Sequence, residues 1–126
     1  MSKKKWEKSS PELVLRFEKA LGWFPQLERK QMFGYPCGFL NGNLTTGLHE
    51  QNWIARLEEP DRSDLESQHN AIPFEVNGRS MREYRVLPKS IVDDDRQLKE
   101  WLGKSVQFVG GLPPKKKKAA RKKTAN

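Results

Sequence analysis

The residues with the clearest capacity for chemistry are cations gathered near the end of this 126-residue sequence. Residues 113–126 contain no acidic side chain and seven basic ones, namely Lys115, Lys116, Lys117, Lys118, Arg121, Lys122 and Lys123. Adjacent cations can neutralise phosphates along a nucleic-acid backbone, and such contacts carry no base-sequence information. The pattern therefore predicts weak, sequence-independent nucleic-acid contact, with a solvated tail that aids solubility as the alternative.

The net charge of +8 is placed at the two ends of the chain. Residues 1–8 carry +3 and residues 113–126 carry +7, which leaves −2 for residues 9–112. A segment of like charges with few apolar side chains cannot offset an ordering cost of about 1–2 kcal/mol per residue. We therefore predict a basic arm over 1–8, a folded domain over 9–112 and a disordered Lys-rich tail over 113–126.

The acidic and imidazole groups form no recognisable catalytic or metal-binding pattern. Asp93, Asp94 and Asp95 lack the spaced ligands of a calcium loop, so helix capping explains them better than a Mg²⁺ or Ca²⁺ site. His49 and His69 are predicted to lie at the surface, in polar turns or at helix ends, and with one cysteine they give no zinc spacing. We predict no catalytic residue, no metal and no cofactor.

Two further stretches hold reactive or unusual residues. Cys37 is the sole cysteine, so it forms no internal disulfide, and it is predicted to be a small strand residue. The run Met32-Phe33-Gly34 is compatible with a ligand loop. A structural role is favoured, in which Met32 or Phe33 fills the core and Gly34 permits a bulge or a close approach of another segment.

Larger side chains offer two more hypotheses. An anion-binding patch on one sheet face would be built from Arg56, Arg79, Arg82 and Arg85. Three tryptophans are predicted to be core or groove wall rather than a cofactor cage, namely Trp23, Trp53 and Trp101.

Strands must position most of these groups. The pairs Asn41-Gly42 and Asn77-Gly78 predict tight antiparallel hairpins, because both residue types tolerate the positive φ that a type I′ turn needs. Around the first pair, three consecutive strands are predicted between residues 29 and 57. Around the second, extended segments are predicted over residues 72–76 and 82–87.

Helices are predicted on either side of these strands. Ser10-Pro11-Glu12 is typical of a helix start, and Gly22 with Pro25 ends that helix. Residues 58–70 predict a short, largely exposed helix that closes at Asn70. The last helix opens at residues 93–95 and buries Leu98, Trp101, Leu102 and Ser105. Together these elements predict an α+β domain with an antiparallel sheet of about five strands and helices packed on one face.

A set of short motifs spans roughly residues 12–108, namely Met32-Phe33-Gly34, Gly38, Asn41-Gly42, Trp53 to Arg56, Pro73-Phe74, Tyr84-Arg85-Val86-Leu87-Pro88 and Leu98 with Trp101. Their order and spacing resemble the TfoX N-terminal domain family, which is named for a regulator of DNA-uptake competence. The resemblance implies the order helix, three or four strands, helix, strands, helix, and a regulatory role.

These observations predict a cytoplasmic, non-enzymatic binding or regulatory module whose body engages a protein partner through a sheet edge or a dimer contact. The alternative is a small enzyme or small-molecule sensor with a pocket between sheet and helices, using His49, Cys37 and the arginines. Contact of the basic ends with anionic membrane surfaces is a third hypothesis. No apolar run approaches the ~18–20 residues of a membrane span, and no apolar segment follows the basic start.

Overall fold

The computed structural model describes residues 7–76 and 78–114. Within these ranges the chain forms six strands and four helices. The strands are β1 (Glu28–Met32), β2 (Tyr35–Leu40), β3 (Asn43–His49), β4 (Asn52–Arg56), β5 (Ile72–Val76) and β6 (Arg79–Val86). The helices are α1 (Pro11–Leu21), α2 (Glu59–His69), α3 (Lys89–Val92) and α4 (Asp95–Gly110). The predicted α+β class is confirmed.

All strand pairs are antiparallel, and the strands lie in the order β1-β2-β3-β4-β6-β5. The predicted Asn41-Gly42 turn is confirmed, with φ values of 54° and 83°. Phe33 and Gly34 repeat this signature at 56° and 87°, so they form the turn between β1 and β2. The expectation of a bulge or close approach at Gly34 was wrong, because the β1–β2 register has no shift and a Cβ on Gly34 would meet nothing within 4 Å.

Residues 29–57 were predicted to contain three strands, and the structure places four in this region. The additional hairpin joins β3 to β4 at Glu50, which has a φ of 57°. Glutamate is not a residue type that signals a positive-φ turn, so the turn left no mark in the sequence. The second predicted hairpin joins β5 to β6; Gly78 has a φ of 77°, and Asn77 lies outside the described residues.

The helix boundaries follow from capping groups close to each end. The Ser10 hydroxyl accepts a hydrogen bond from the Leu13 amide at 3.1 Å, with Pro11 at the first helical position of α1. The Asp94 carboxylate accepts from the amides of Arg96 and Gln97 at the start of α4. Both predicted caps are confirmed, because each side chain satisfies amides that have no partner within the helix.

The three consecutive aspartates at the start of α4 make separate interactions. Hydrogen bonds from Gln97 and from backbone amides hold the pKa of Asp94 below its usual value. Asp95 accepts from Arg16 of α1 at 2.6 Å, which lowers the pKa of that carboxyl. Asp93 pairs with Lys89 at 2.8 Å. Across the two described ranges, no group of three or more His, Cys, Asp or Glu residues is placed to hold a metal ion.

The core lies between the sheet and the helices. Trp53 of β4 is 1% exposed, its ring centroid lies 5.0 Å from that of Phe17, and its indole N–H donates to the Thr46 hydroxyl at 2.9 Å. The predicted inward face of α4 is confirmed, with Leu98, Trp101, Leu102 and Ser105 all buried. None of the helices in the described part of the chain has the length and apolar character needed to cross a bilayer.

Candidate binding site on the open face of the sheet

The pairing register divides the strand residues between two faces. Cys37 lies opposite Gly47, and Gly47 lies opposite Ile54, so these three residues share a face. A Cβ on the next residue, Gly38, would sit 3.0 Å from the Leu21 side chain of α1, so Gly38 points toward the helices. Because successive residues alternate, the face of Cys37 points away from them. We call it the open face.

A row of three rings crosses the open face. The ring centroids of Tyr35 and His49 lie 5.2 Å apart, and those of His49 and Phe74 lie 5.4 Å apart in an edge-on arrangement. His49 belongs to β3 and Phe74 to β5, although β4 and β6 separate these strands in the sheet. Their contact therefore requires the sheet to curl toward the open face. Met32 pairs with Tyr35 and Met81 pairs with Phe74, so a methionine flanks each end of the row.

The curled face encloses a cavity of about 190 Å³. Its walls are Met32, Phe33, Tyr35, Cys37, Leu44, Leu48, His49, Ile54, Phe74, Val76 and Met81. The polar side-chain groups among these residues are one hydroxyl, one thiol and one imidazole. An engineered cavity of about 150 Å³ lined by apolar side chains takes up benzene. The volume therefore suits one aromatic or branched aliphatic group.

The Cys37 thiol contributes to this cavity as a neutral group. Cys37 is 3% exposed, and its Sγ donates to the Tyr35 carbonyl at 3.7 Å. Burial raises the pKa of the thiol to about 11, so it is protonated at neutral pH. The predicted small strand residue is confirmed. Gly47 is required beside it, because a Cβ on residue 47 would lie 2.8 Å from the Cys37 sulfur.

The structure corrects the predicted place of His49 and of the Met32-Phe33 pair. His49 is the last residue of β3 and lines the cavity, whereas a polar surface turn was predicted. Phe33 is 73% exposed at the cavity rim, and Met32 is half-buried in the wall, so neither fills the core. His69 does end a helix, as predicted, and meets the Trp101 ring edge-on at 5.9 Å.

The segment before α1 is fixed to the rim of this cavity. The Glu7 amide donates to the Glu50 carboxylate at 2.9 Å, and the Glu7 carbonyl accepts from the Tyr35 hydroxyl. The Gln51 side chain donates to the Lys8 carbonyl at 2.7 Å. Two residues assigned to the basic arm are thus held by the β3–β4 turn. Residues 1–6 lie outside the described residues, and the arm boundary at residue 8 stays a prediction.

The four arginines of the hypothesised anion-binding patch do not share one face of the sheet. Arg56 donates to Glu83 at 2.7 Å and lies over the Tyr84 ring, whereas Arg85 pairs with Glu66 of α2. These two arginines point to opposite faces, because they occupy neighbouring positions in the β4–β6 register. Each has a carboxylate partner. Exposed positions are taken by Arg79 and Arg82.

The tryptophan prediction is confirmed. Trp53 and Trp101 are buried in the core, and Trp23 packs against it while half-buried. These core side chains fill the space between sheet and helices, where the alternative hypothesis placed a pocket. A wider cleft of about 510 Å³ opens near α3, with Ser10, Gln51 and Asp93 among its walls. Apolar side chains such as Leu13 and Val92 share its walls with these polar groups, and the cleft opens broadly to solvent.

The predicted nucleic-acid-binding residues, namely Lys115, Lys116, Lys117, Lys118, Arg121, Lys122 and Lys123, lie outside the described residues. The chain just before these residues is held to the sheet, because the Asn43 side chain donates to the Pro113 carbonyl at 3.1 Å. Asn43 begins β3 and His49 ends it. At about 3.3 Å per residue, the strand holds the two ends about 20 Å apart. The basic segment therefore leaves the fold at the end of β3 opposite His49, where Leu44, the residue after Asn43, forms one wall of the cavity.

The fold and the cavity together define a small α+β domain with one curled antiparallel sheet and an apolar site on its uncovered face. A family model described as the TfoX N-terminal domain matches residues 19–109, and the chain belongs to this family. The resemblance found in the sequence is thus confirmed. Membership supports, at a coarse level, a module of the regulatory type. No curated protein and no solved structure matches the chain.

Proposed function

We propose that this protein is a non-enzymatic regulatory module with two contact regions. The cavity on the open face takes an apolar side chain of a protein partner, and the Lys-rich tail contacts nucleic-acid phosphates. The observation that carries the proposal is Phe33, a large aromatic residue that is 73% exposed and held at a φ of 56° on the cavity rim. Positive φ is costly for a bulky residue, and such strain occurs most often at functional sites.

The lining of the cavity favours an apolar partner group. Methionine side chains at Met32 and Met81 adapt to irregular shapes and make favourable contacts with aromatic rings. Aromatic groups at interfaces contribute large contact areas. Apolar atoms that are still partly hydrated release free energy when a partner covers them. A partner that inserts one aromatic or aliphatic side chain therefore fits best.

The polar groups that the enzyme alternative would use support a binding role over catalysis. The Cys37 thiol is neutral at physiological pH and is therefore a poor nucleophile. The charges of Arg56 and Arg85 are opposed by Glu83 and Glu66. Binding of an apolar group needs none of these residues to change its protonation state.

Charge supports the proposed role of the tail. Residues 113–126 carry +7, against −2 for residues 9–112, so the tail is the strongest positive region of the sequence. If all seven cations contact phosphates, the slope of log K against log salt approaches about −6.

The tail is tested by fluorescence anisotropy with a duplex DNA of arbitrary sequence, at about 50 mM and about 200 mM salt. Three proteins are compared: the full chain, a chain ending at residue 114, and a full-length control whose seven basic tail residues are replaced by glutamine. We expect both altered proteins to lose binding and its salt dependence. Equal affinity for the full and shortened chains would overturn the tail proposal.

The cavity is tested with the apolar probe 1-anilinonaphthalene-8-sulfonate. We expect Phe33→Ser to weaken probe binding several-fold, because it removes the rim contact. Leu15→Ser is the matched control, since Leu15 is 70% exposed but lies on α1. Binding that is unchanged by Phe33→Ser, or weakened equally by both substitutions, would place the probe elsewhere and contradict the cavity proposal.

A second candidate is a small-molecule sensor, favoured by the cavity volume of about 190 Å³. Thermal unfolding in the presence of a library of small apolar compounds separates the two. A ligand at 100 times its dissociation constant stabilises the folded state by about 2.7 kcal/mol. A stabilising compound whose effect is lost in Phe33→Ser would favour the sensor.

A further inference from the structure

The backbone of Glu7 is fixed on both sides at the edge of the cavity. Its carbonyl accepts a hydrogen bond from the Tyr35 hydroxyl, and Tyr35 forms part of the cavity wall. Its amide donates to the Glu50 carboxylate at 2.9 Å. Residues 1–6 lie outside the described residues, and the preceding residue is connected to this edge by its covalent link to Glu7.

The residue at this position is Trp6, the sole apolar residue in residues 2–10. The neighbouring residues are lysine, glutamate and serine. Tryptophan has one of the largest apolar surfaces of any side chain, and leaving it in water among charged neighbours is unfavourable. Glu7, the next residue in the chain, is bonded to Tyr35 of the cavity wall, so this cavity is the apolar surface that we consider for Trp6.

The cavity is chemically suited to an indole ring. Tyr35, His49 and Phe74 offer ring faces and edges, and aromatic pairs prefer tilted or edge-on contacts of the kind already present in this row. Met32 and Met81 place thioethers at its two ends, where sulfur contacts with aromatic rings are favourable. A volume of about 190 Å³ is of the order needed for a bicyclic ring.

We infer that Trp6 is the built-in occupant of the cavity and that a partner's apolar group must displace it. The second part of this inference rests on the proposed function, because it takes the cavity to be the partner site. An occupied site binds a competitor more weakly in proportion to the fraction of molecules in which it is open. If Trp6 is in place nine-tenths of the time, removing it strengthens competitor binding about tenfold.

Methyl NMR of the full chain tests the docking directly. Methionine labelled with ¹³C at its methyl group gives three signals, from Met1, Met32 and Met81, which single Met→Leu substitutions assign. Met32 and Met81 line the cavity, so the ring current of a docked indole shifts both signals. We expect Trp6→Ala to move them, Trp6→Phe to retain part of the shift, and the control Lys4→Ala to leave them unchanged.

Titration with 1-anilinonaphthalene-8-sulfonate tests the displacement. We expect Trp6→Ala to bind the probe about tenfold more tightly than the unaltered chain, with Lys4→Ala unchanged. If the methionine signals do not move in Trp6→Ala, the inference is overturned. The proposed function would still stand in that case if Phe33→Ser weakens binding of the probe. Moved signals with equal probe affinity overturn displacement. Moved signals without probe binding in either protein support docking and overturn the proposed function.

Discussion

The two faces of the sheet are built from the same strands, but one packs against the helices and the other lines the cavity. On β4, Trp53 and Ala55 point to the helices and are 1% and 0% exposed, whereas Ile54 between them lines the open-face cavity. The covered face is closed by α1 and α4. The open face keeps apolar side chains at its rim partly in water, with Phe33 as the most exposed. Alternate residues of one strand therefore serve folding and binding separately.

The two faces differ because solvent is removed from one on folding and from the other only on binding. The free energy of the covered face is released on folding, because the helices remove its apolar side chains from solvent. Part of the apolar area on the open face remains hydrated in the folded domain, so its free energy is released only when something covers it. Substitutions on the first face should change the free energy of unfolding, and those on the second should chiefly change binding.

The largest expected change is the loss of stability caused by Trp53→Ala on the covered face. It removes a fully packed indole and its hydrogen bond to Thr46, so we expect the free energy of unfolding to fall by about 3–5 kcal/mol. Urea unfolding followed by circular dichroism measures the loss. Phe33→Ala is the open-face control and should stay within about 0.5 kcal/mol. Similar losses for the two variants would contradict the division of roles.

The next effect concerns the chemical reactivity of the open face. The pKa of Cys37 is raised by burial from 9.0 to about 11, which lowers the thiolate fraction at pH 8 about 100-fold. We expect Cys37 to react with a disulfide reagent at least that much more slowly in the folded protein than in the chain unfolded in urea.

The raised pKa of Cys37 also makes the stability of the folded protein fall as the pH rises. Because the folded pKa lies above the unfolded one, the folded state keeps a proton that the unfolded state loses. The contribution of Cys37 to stability is therefore present below pH 9 and is lost as the pH rises toward 11. Cys37→Ala should flatten the stability profile in that window. A rapid reaction in the folded protein would show that the thiol is accessible and ionised.

A smaller effect is expected for Gly47→Ala, which tests packing within the open face. The new Cβ would lie 2.8 Å from the Cys37 sulfur, so we expect a loss of about 1–3 kcal/mol in the free energy of unfolding. Cys37→Ala removes that sulfur, so the double variant should recover much of the loss. A double-mutant cycle measured by urea unfolding reports the coupling. Additive losses would mean that Gly47 is needed for another reason.

The smallest expected change in stability belongs to Phe33→Asn and has the opposite sign. Asparagine tolerates positive φ better than phenylalanine and would create the Asn-Gly pair favoured in type I′ turns. We expect stability to rise by about 0.5 kcal/mol while binding of the apolar probe weakens. Calorimetry and probe titration on one sample measure both. A gain in stability without a loss of binding would remove Phe33 from the site.

The sequence by itself determined the features that depend on neighbouring residues. Asn41-Gly42 specified its hairpin because positive φ is a property of those two residue types, and Ser10 and Asp94 specified helix starts because each caps amides within three residues of itself. The period of α4 gave its buried face, and the set of motifs gave the family. The charge of the tail is also a property of sequence alone.

Only the tertiary structure decided where the cavity lies and what forms it. The contact between His49 and Phe74 depends on a curl summed over four strands, and the β3–β4 turn at Glu50 is made by a residue type that does not signal one. Arg56 and Arg85 were separated by register and met carboxylates on distant segments. Local backbone preferences are encoded by adjacent residues, but curvature and register arise from packing across the whole sheet, so they leave no short pattern in the sequence.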